Sequence, residues 1–388
     1  MELDPRTLIV ASVLSALLLG SVSLAFATLR GSSRIIGSWG KAMLVLAAGL
    51  LGLALRGMIP DWVSIAVANS VVVAALVLGL RSLRVFLGSV PRDALGYVLT
   101  AGLFLFLLYF SEVRPNGAAR TVAVSTALLI ITSRAALVLH RAKPAESRLS
   151  CGFTEFVFWA VGAMTVARVA ATLLASTDDL LTPDPLNAAT FLFYAAFITM
   201  ATLGVMWMEI ETLQGELLRL AHYDSLTGVY NRGTFLAEFT REVSRSERGG
   251  TAFSLALFDL DNFKLLNDRY GHPVGDRVLK SFADVMRASI RKYDTVGRYG
   301  GEEFALLMPQ TAKEAAVRVA ERIRRELETR GVTVDGTRVE VTASCGVAAY
   351  GIDGDDWDTL LSAADTALYQ AKNAGRNRIA MAHAAQAA

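Results

Sequence analysis

The first half of the chain consists of long apolar runs separated by short polar loops. A helix needs about 20 apolar residues to cross a hydrocarbon layer of about 30 Å. Seven runs reach or nearly reach that length, at residues 7–29, 42–59, 62–80, 94–110, 121–139, 153–174 and 188–208. The pattern predicts an α-helical membrane domain over residues 1–208, with about seven spans in a range of six to eight.

The loops between these runs differ in positive charge. Loops rich in Lys and Arg stay on the cytoplasmic side of a membrane. The loops after the first, third and fifth runs carry Arg30, Arg34, Lys41, Arg81, Arg84, Arg92, His140, Arg141, Lys143 and Arg148. The alternate loops carry Asp61, Glu112, Arg114, Arg120, Asp178, Asp179 and Asp184. We therefore predict an outside amino terminus and a cytoplasmic C-terminal half.

Two features of the apolar half have alternative interpretations. The first run could be a secretory signal, but the second follows almost at once and no small-residue cleavage site stands out. Arg56 and Arg168 lie in or near apolar runs, where ionisable groups are candidates for function. Arg56 is close enough to a run's end to extend to the interface. Arg168 lies deeper, and the sequence identifies no partner for it.

The amino-acid composition and net charge limit the classes of protein to which the chain can belong. Hydrophobic residues make up 53% of the 388 and charged residues 19%, which fits a membrane protein. The net charge of +2 gives no basic field for nucleic acid, so we expect no nucleic-acid partner and expect membrane lipid instead. Cys151 and Cys345 are too far apart in sequence to form a metal motif, and we expect both to remain thiols.

Residues 209–223 predict a connecting helix. Ile210, Leu213, Leu217 and Leu220 follow the 3-4-3 spacing of a short coiled-coil seam. An amphipathic helix packed on its own domain is the alternative. Because the segment follows the last apolar run directly, we favour a signalling helix that pairs two chains.

Residues 224–382 have the pattern of a third domain, in which helices and strands alternate. The predicted helices are 234–246, 275–291, 313–329 and 357–373, and the predicted strands are 253–259, 296–298, 304–308, 339–347 and 378–381. This order predicts an antiparallel α+β sandwich of the ferredoxin-like type.

Acidic residues lie at the ends of two of these strands, 253–259 and 304–308. Asp259 and Asp261 end the first strand, and Glu302 and Glu303 follow a Gly-Gly turn. If the two strands are neighbours, Asp259 and Glu302 meet at one edge of the sheet. Clustered carboxylates repel one another unless a cation neutralises them, and Mg²⁺ prefers such hard oxygens. Acidic pairs at strand ends can also be solvated turns.

Four motifs in order give these residues a family context. They are DSLTGVYNR from Asp224, FDLDNFKLLNDRYGHPVGD from Phe258, RYGGEEF from Arg298 and AKNAGRNR from Ala371. The set resembles the GGDEF family of diguanylate cyclases in its GGEEF form, from Asp224 to about Ile379. The resemblance implies a nucleotidyl-cyclase-type domain that joins two GTP molecules into cyclic di-GMP and two pyrophosphates. Together with the seven apolar runs, the resemblance predicts a multi-pass protein of a bacterial inner membrane.

The resemblance implies a role for each matching position. Asp259, Glu302 and the carbonyl of Leu260 are similar to the ligands of Mg²⁺ or Mn²⁺, and Glu303 to an acid near the metals. Glu302 resembles a general base toward the 3′-hydroxyl, although a metal alone could activate that oxygen.

Substrate positions follow in the same way. Asn267 and Asp276 resemble the pair that reads guanine, whose N1–H and 2-amino groups adenine cannot offer. Helix capping is the alternative for both. The remaining positions resemble the triphosphate site: Asn262, Phe263, Lys264, Gly300, Gly301, Lys372 and Arg376. For Lys372 and Arg376, a favourable interaction with the helix dipole is the alternative.

A regulatory site is implied as well. Arg291 and Asp294 resemble the family's inhibitory RxxD site, and Arg322 could add a second cation for cyclic di-GMP. An ordinary surface pair is the alternative.

The whole sequence is interpreted as a diguanylate cyclase that works as a homodimer through the signalling helix and the cyclase domain. Its membrane domain and its product would regulate it. A catalytically inactive receptor for cyclic di-GMP or GTP, and a transporter with a regulatory appendage, are the alternatives.

Overall fold

A computed structural model describes residues 4–30, 34–90, 93–142, 144, 147–175, 185–334 and 337–383. The chain forms two compact units, which divide between Gly215 and Glu216. Five of the expected loop charges lie outside the described residues: Arg92, Lys143, Asp178, Asp179 and Asp184.

The described part of the first unit is helical. Its helices are α1 (Pro5–Arg30), α2 (Arg34–Ala54), α3 (Ala68–Phe86), α4 (Ala94–Leu108), α5 (Gly117–Ala142), α6 (Arg148–Ala175) and α7 (Pro185–His222). Short π-helical segments, Val63–Val67 and Tyr109–Val113, adjoin α3 and α4. Within the described residues, seven helical stretches are long and apolar enough to cross a membrane.

The second helix lies further toward the amino terminus than its apolar run predicts. It covers Arg34–Ala54 rather than residues 42–59, so Lys41 lies within a helix instead of a loop. A Cβ on Gly40 would lie 2.9 Å from the carbonyl oxygen of Gly20, so α1 and α2 approach closely there. Small residues allow such contact between helices. Arg56 lies in the turn that follows α2.

Helix α7 joins the last apolar run to the predicted signalling segment without a break. It is 38 residues long, and the division between the two units falls inside it. The side chains of Ile210, Leu217 and Leu220 are 47%, 62% and 57% exposed. Leu213, the fourth residue of the predicted seam, is half-buried, so the single chain leaves three of the four seam residues open to solvent.

The described part of the second unit is built on a five-stranded sheet in the order β2-β3-β1-β6-β7. The strands are β1 (Phe253–Leu260), β2 (Thr295–Arg298), β3 (Glu303–Pro309), β6 (Ala343–Ala349) and β7 (Ile379–Met381). All pairings are antiparallel except β6 with β7. A small second sheet pairs β4 (Val332–Val334) with β5 (Thr337–Val339).

Helices cover both faces of the larger sheet. They are α8 (Arg232–Gly249), α9 (Phe263–Tyr270), α10 (His272–Ser289), α11 (Lys313–Arg330) and α12 (Trp357–Asn373). Residues of α10 and α11 share one core with the sheet, and residues of α8 and α12 share the other. Every residue of β1 is buried, which is typical of a central strand.

Two local elements differ from the sequence prediction. Helix α9 was not predicted, and the single predicted strand 339–347 is two strands, β5 and β6. The chain breaks there because Asp261 accepts hydrogen bonds from Thr342 Oγ1 (2.8 Å) and Ser344 Oγ (2.7 Å). These contacts anchor the start of β6, while β5 pairs away from the main sheet.

Gly346 offers a test of this packing. A Cβ there would overlap the backbone of Ala364 and Leu368 in α12. We expect Gly346→Ala to lower the free energy of unfolding of the second unit by about 1–3 kcal/mol, because overpacking moves backbone. Pulse proteolysis of the full chain in urea would measure it. Gly301→Ala is the matched control, since a Cβ there meets nothing within 4 Å. Equal stability of the two variants would contradict the close approach.

Candidate active site

The candidate site lies where β1 ends beside the start of β3. The two strands are antiparallel neighbours, as the sequence analysis supposed, and their register sets Asp259 opposite Glu303. Glu302 precedes β3, and its carbonyl oxygen accepts a hydrogen bond from Leu260 N at 3.4 Å. The backbone therefore brings both signature glutamates to the end of β1.

The Gly-Gly turn is tight because the chain folds back on Glu303. The amides of Tyr299 and Gly300 both donate to the carbonyl oxygen of Glu303, at 2.9 Å and 3.2 Å. A Cβ on Gly300 would overlap the Glu303 carboxylate, whereas one on Gly301 would meet nothing within 4 Å. Gly300 thus makes room for the acid, and Gly301 leaves an open approach to the backbone.

Arg298 links the Gly-Gly turn to Asp224, the first residue of the DSLTGVYNR motif. Its Nε donates to the Gly301 carbonyl oxygen at 3.2 Å, and its Nη1 donates to Asp224 Oδ1 at 3.1 Å. Burial alone would raise the pKa of Asp224, but hydrogen bonds from Thr227 and the Arg298 charge hold it below its usual value. No role for this pair was predicted, although both residues belong to the family motifs.

Three carboxylates crowd the end of β1. Asp259 is 6% exposed, and Lys372 Nζ lies 2.8 Å from its Oδ2. Burial raises the pKa of Asp259 despite this ammonium. Burial and then the charge of Asp259 raise the pKa of both Glu302 and Glu303. The acids therefore form one electrostatic cluster.

The cluster fits a hard divalent cation. Carboxylate oxygens with a nearby carbonyl are the donors that Mg²⁺ uses together with substrate phosphates. Lys372 already places a positive charge on Asp259, where such an ion would lie. Among the described residues, no group of three His, Cys, Asp or Glu side chains is close enough to hold a metal ion. The predicted set of Asp259, Glu302 and the Leu260 carbonyl contains only two side chains.

The segment after β1 contains an unusual backbone turn. Asn262 has φ of +56°, which reverses the chain before α9 begins at Phe263. The Phe263 side chain is buried, whereas Lys264 is exposed. The turn leaves the first amides of α9 beside the end of β1.

Asn267 and Asp276 lie on successive helices, α9 and α10. Asn267 Oδ1 is buried and has no hydrogen-bond partner among the described residues. It packs over Gly275, where a Cβ would overlap it. Asp276 is exposed and lies within α10, whose N-cap is Gly271, so the capping alternative fails for Asp276.

Known proteins share this part of the chain. The family model described as "Diguanylate cyclase, GGDEF domain" matches residues 221–378. This segment of the chain belongs to the GGDEF family. The response regulator PleD of Caulobacter vibrioides is 43% identical over 164 residues, which are 42% of this chain and 36% of PleD. Diguanylate cyclase A of Treponema denticola is 39% identical over 148 residues, 38% of this chain and 40% of that protein.

Solved structures match the same region. The GGDEF domain of DgcB from Caulobacter crescentus, in complex with c-di-GMP, is 35% identical. The match covers 42% of this chain and 94% of that one, with a TM-score of 0.40. The curated relatives named above are matched over less than half of their own length.

Asp261, the second acid of the FDLD segment, connects the end of β1 to two other parts of the GGDEF domain. Besides the two hydroxyls at the start of β6, it accepts from Asn377 N at 3.0 Å. This contact fixes the loop after α12, where Arg376 is exposed with φ of +60°. This role of Asp261 was not predicted, because the spacing of Asp259 and Asp261 does not distinguish a metal ligand from a residue that fixes the backbone.

The two predicted phosphate-binding cations are placed differently. Lys372, in the last turn of α12, contacts Asp259, so the helix dipole is not its main partner. Arg376 lies beyond the helix, and its charge opposes in part the burial that raises the pKa of Asp259. Both cations therefore act on the carboxylate cluster.

The RxxD residues form a separate surface of the GGDEF domain. Arg291 N donates to Asp294 Oδ2 at 2.8 Å, so the acid closes the turn before β2. The Arg322 guanidinium on α11 contacts the carbonyl oxygen of Ser289. The structure thus brings Arg322 to the start of the RxxD turn, and the exposed side chain of Arg291 remains open to solvent.

The raised pKa of Glu302 predicts a gain in stability when its charge is removed. An acid whose folded pKa is raised destabilises the folded state above that pKa, and the penalty disappears below the unfolded pKa. We expect metal-free Glu302→Gln to unfold at a higher temperature than the unaltered chain at neutral pH. The difference should shrink as pH falls toward 4. Calorimetry of the full chain, with exposed Glu314→Gln as control, would measure it; a lower melting temperature at pH 7 would contradict the cluster.

Proposed function

We propose that this protein is a diguanylate cyclase, which converts two GTP into cyclic di-GMP and two pyrophosphates. The observation that carries the proposal is the cluster of Asp259, Glu302 and Glu303 beside Lys372, within a GGDEF-family domain. Related proteins named as diguanylate cyclases support the same activity.

Substrate binding would use three parts of the site. The orphaned acceptor Asn267 Oδ1 and the carboxylate of Asp276 can receive the N–H donors of guanine. The triphosphate would lie over the open backbone at Gly301 and the first amides of α9, with Lys264 and Arg376 as cations. Lys372 would release Asp259 and turn toward the phosphates.

The reaction joins the 3′-oxygen of one GTP to the α-phosphorus of another. A P–O bond forms, the bond between the α-phosphorus and the bridging oxygen breaks, and pyrophosphate leaves with the electron pair. A Mg²⁺ or Mn²⁺ held by Asp259, Glu302 and the Leu260 carbonyl would neutralise phosphate charge and acidify the hydroxyl. Glu302 would accept the hydroxyl proton.

A single domain would hold one GTP, so catalysis would require two chains face to face. The exposed apolar stripe of Ile210, Leu217 and Leu220 on α7 supports a homodimer through this helix. Residues 1–208 would be a seven-span domain of the bacterial inner membrane, residues 209–223 the signalling helix, and residues 224–382 the cytoplasmic cyclase. The membrane domain would set how often the two cyclase domains meet.

A receptor that binds cyclic di-GMP or GTP without turnover is the second candidate. The exposed Arg291, with Arg322 at the same turn, favours a binding site for the product in either case. The intact carboxylate cluster favours the enzyme, because a receptor needs no acids where a metal and a reacting hydroxyl would lie.

Turnover by the full chain in detergent tests the proposal. With GTP and Mg²⁺ we expect cyclic di-GMP and pyrophosphate, and with ATP no cyclic dinucleotide. Glu302→Gln should lower turnover by about 10²-fold or more, because a metal ligand and a proton acceptor are lost together. Glu314→Gln should retain activity. Binding of cyclic di-GMP without pyrophosphate release would favour the receptor, and full activity of Glu302→Gln would refute the site.

Product inhibition tests the RxxD surface. We expect Arg291→Ala to raise the inhibition constant of cyclic di-GMP about tenfold or more, because a charged contact to phosphate or guanine is lost. Initial rates of pyrophosphate release with added product would measure it. Lys292→Ala, at an exposed variable position of the motif, is the control. Unchanged inhibition in the Arg291 variant would place the inhibitory site elsewhere.

A further inference from the structure

A cavity of about 120 Å³ lies among the helices of the first unit. Its walls come from the beginning of α1, α3, α5 and α7 and from the end of α2 and α6, which are all at one end of the bundle. Phe191, Tyr194 and Ile198 are the contribution of α7, the helix that continues to His222.

Arg168 on α6 brings a charge to this cavity. It is 6% exposed and lines the wall, together with Arg56 and Arg120. Within the part of the chain that the structure describes, its guanidinium donates no hydrogen bond and forms no ion pair. A buried charge without a partner is strongly destabilising, so retaining one requires a reason. In an apolar helix such a group marks a functional site.

The rest of the lining is mainly apolar. Leu50, Leu53, Val72, Leu128 and Phe191 supply hydrocarbon and an aromatic face. Hydroxyls of Ser12, Ser125 and Tyr194 supply a few neutral polar atoms. None of the described lining residues is acidic. The cavity thus combines a positive end with an apolar body.

We propose that this cavity binds a small monocarboxylate with an apolar body, whose carboxylate pairs with Arg168. A planar guanidinium offers parallel N–H donors that match the two oxygens of a carboxylate. Apolar cavities of about 150 Å³ hold a benzene ring. This cavity of about 120 Å³ is partly open, so a ligand with a single small ring can enter it with its carboxylate at Arg168. The inference goes beyond the proposed cyclase activity, and the site exists whether or not the second unit turns over GTP.

Calorimetric titration of the full chain in detergent tests the proposal with benzoate and its neutral analogue benzamide. We expect benzoate to bind and benzamide to bind at least about tenfold more weakly, because only the anion offers a negative charge and two acceptor oxygens to the Arg168 guanidinium. Arg168→Gln should weaken benzoate binding at least about tenfold. Arg134→Gln, an arginine of α5 away from this cavity, should bind benzoate as the unaltered chain does.

The comparison of the two probes uses the unaltered protein, so a variant that fails to fold does not weaken the test. Absence of benzoate binding, equal affinity for benzamide, or full benzoate affinity in a folded Arg168→Gln variant would each overturn the proposal. Because the readout is binding heat rather than turnover, an inactive cyclase domain would leave the result unaffected.

Discussion

Like-charged carboxylates at the end of β1 repel one another, and the second unit holds them together against that repulsion. Asp259 and Glu303 face each other because the register of β1 and β3 leaves no alternative. Lys372 partly neutralises Asp259, yet burial still raises the pKa of each acid in the cluster. The fold therefore maintains a destabilising arrangement, which a divalent cation would relieve when it binds.

Hydrogen bonds and an ion pair hold the backbone around the carboxylate cluster in place. Arg298 links the Gly-Gly turn to Asp224, and Asp261 ties the end of β1 to β6 and to the loop after α12. These contacts connect the four motifs, which are distant in sequence. Gly301 and the turn at Asn262 keep the approach to that backbone open. Some residues of these motifs therefore fix the backbone around the cluster, and others leave that backbone open to a ligand.

The first unit also contains a buried charge. Arg168 is buried among apolar helices and lines a cavity that a ligand of opposite charge could fill. Helix α7 lines this cavity and extends to His222, while its exposed seam residues offer a surface to a second chain. The proposed ligand and the proposed dimer therefore involve one helix.

The sequence by itself determined what depends on local pattern: the apolar helices, most strands of the second unit, and the motifs that identify the GGDEF family. The residue pattern alone did not separate the anchor Asp261 from Asp259, because two acids two positions apart look alike until β6 supplies hydroxyls to one of them. It placed α2 too late, since glycine contacts with α1 set that helix rather than hydropathy. Only the tertiary structure brought Arg298 to Asp224 and Lys372 to Asp259, because these pairs are distant in sequence and periodicity carries no information about them.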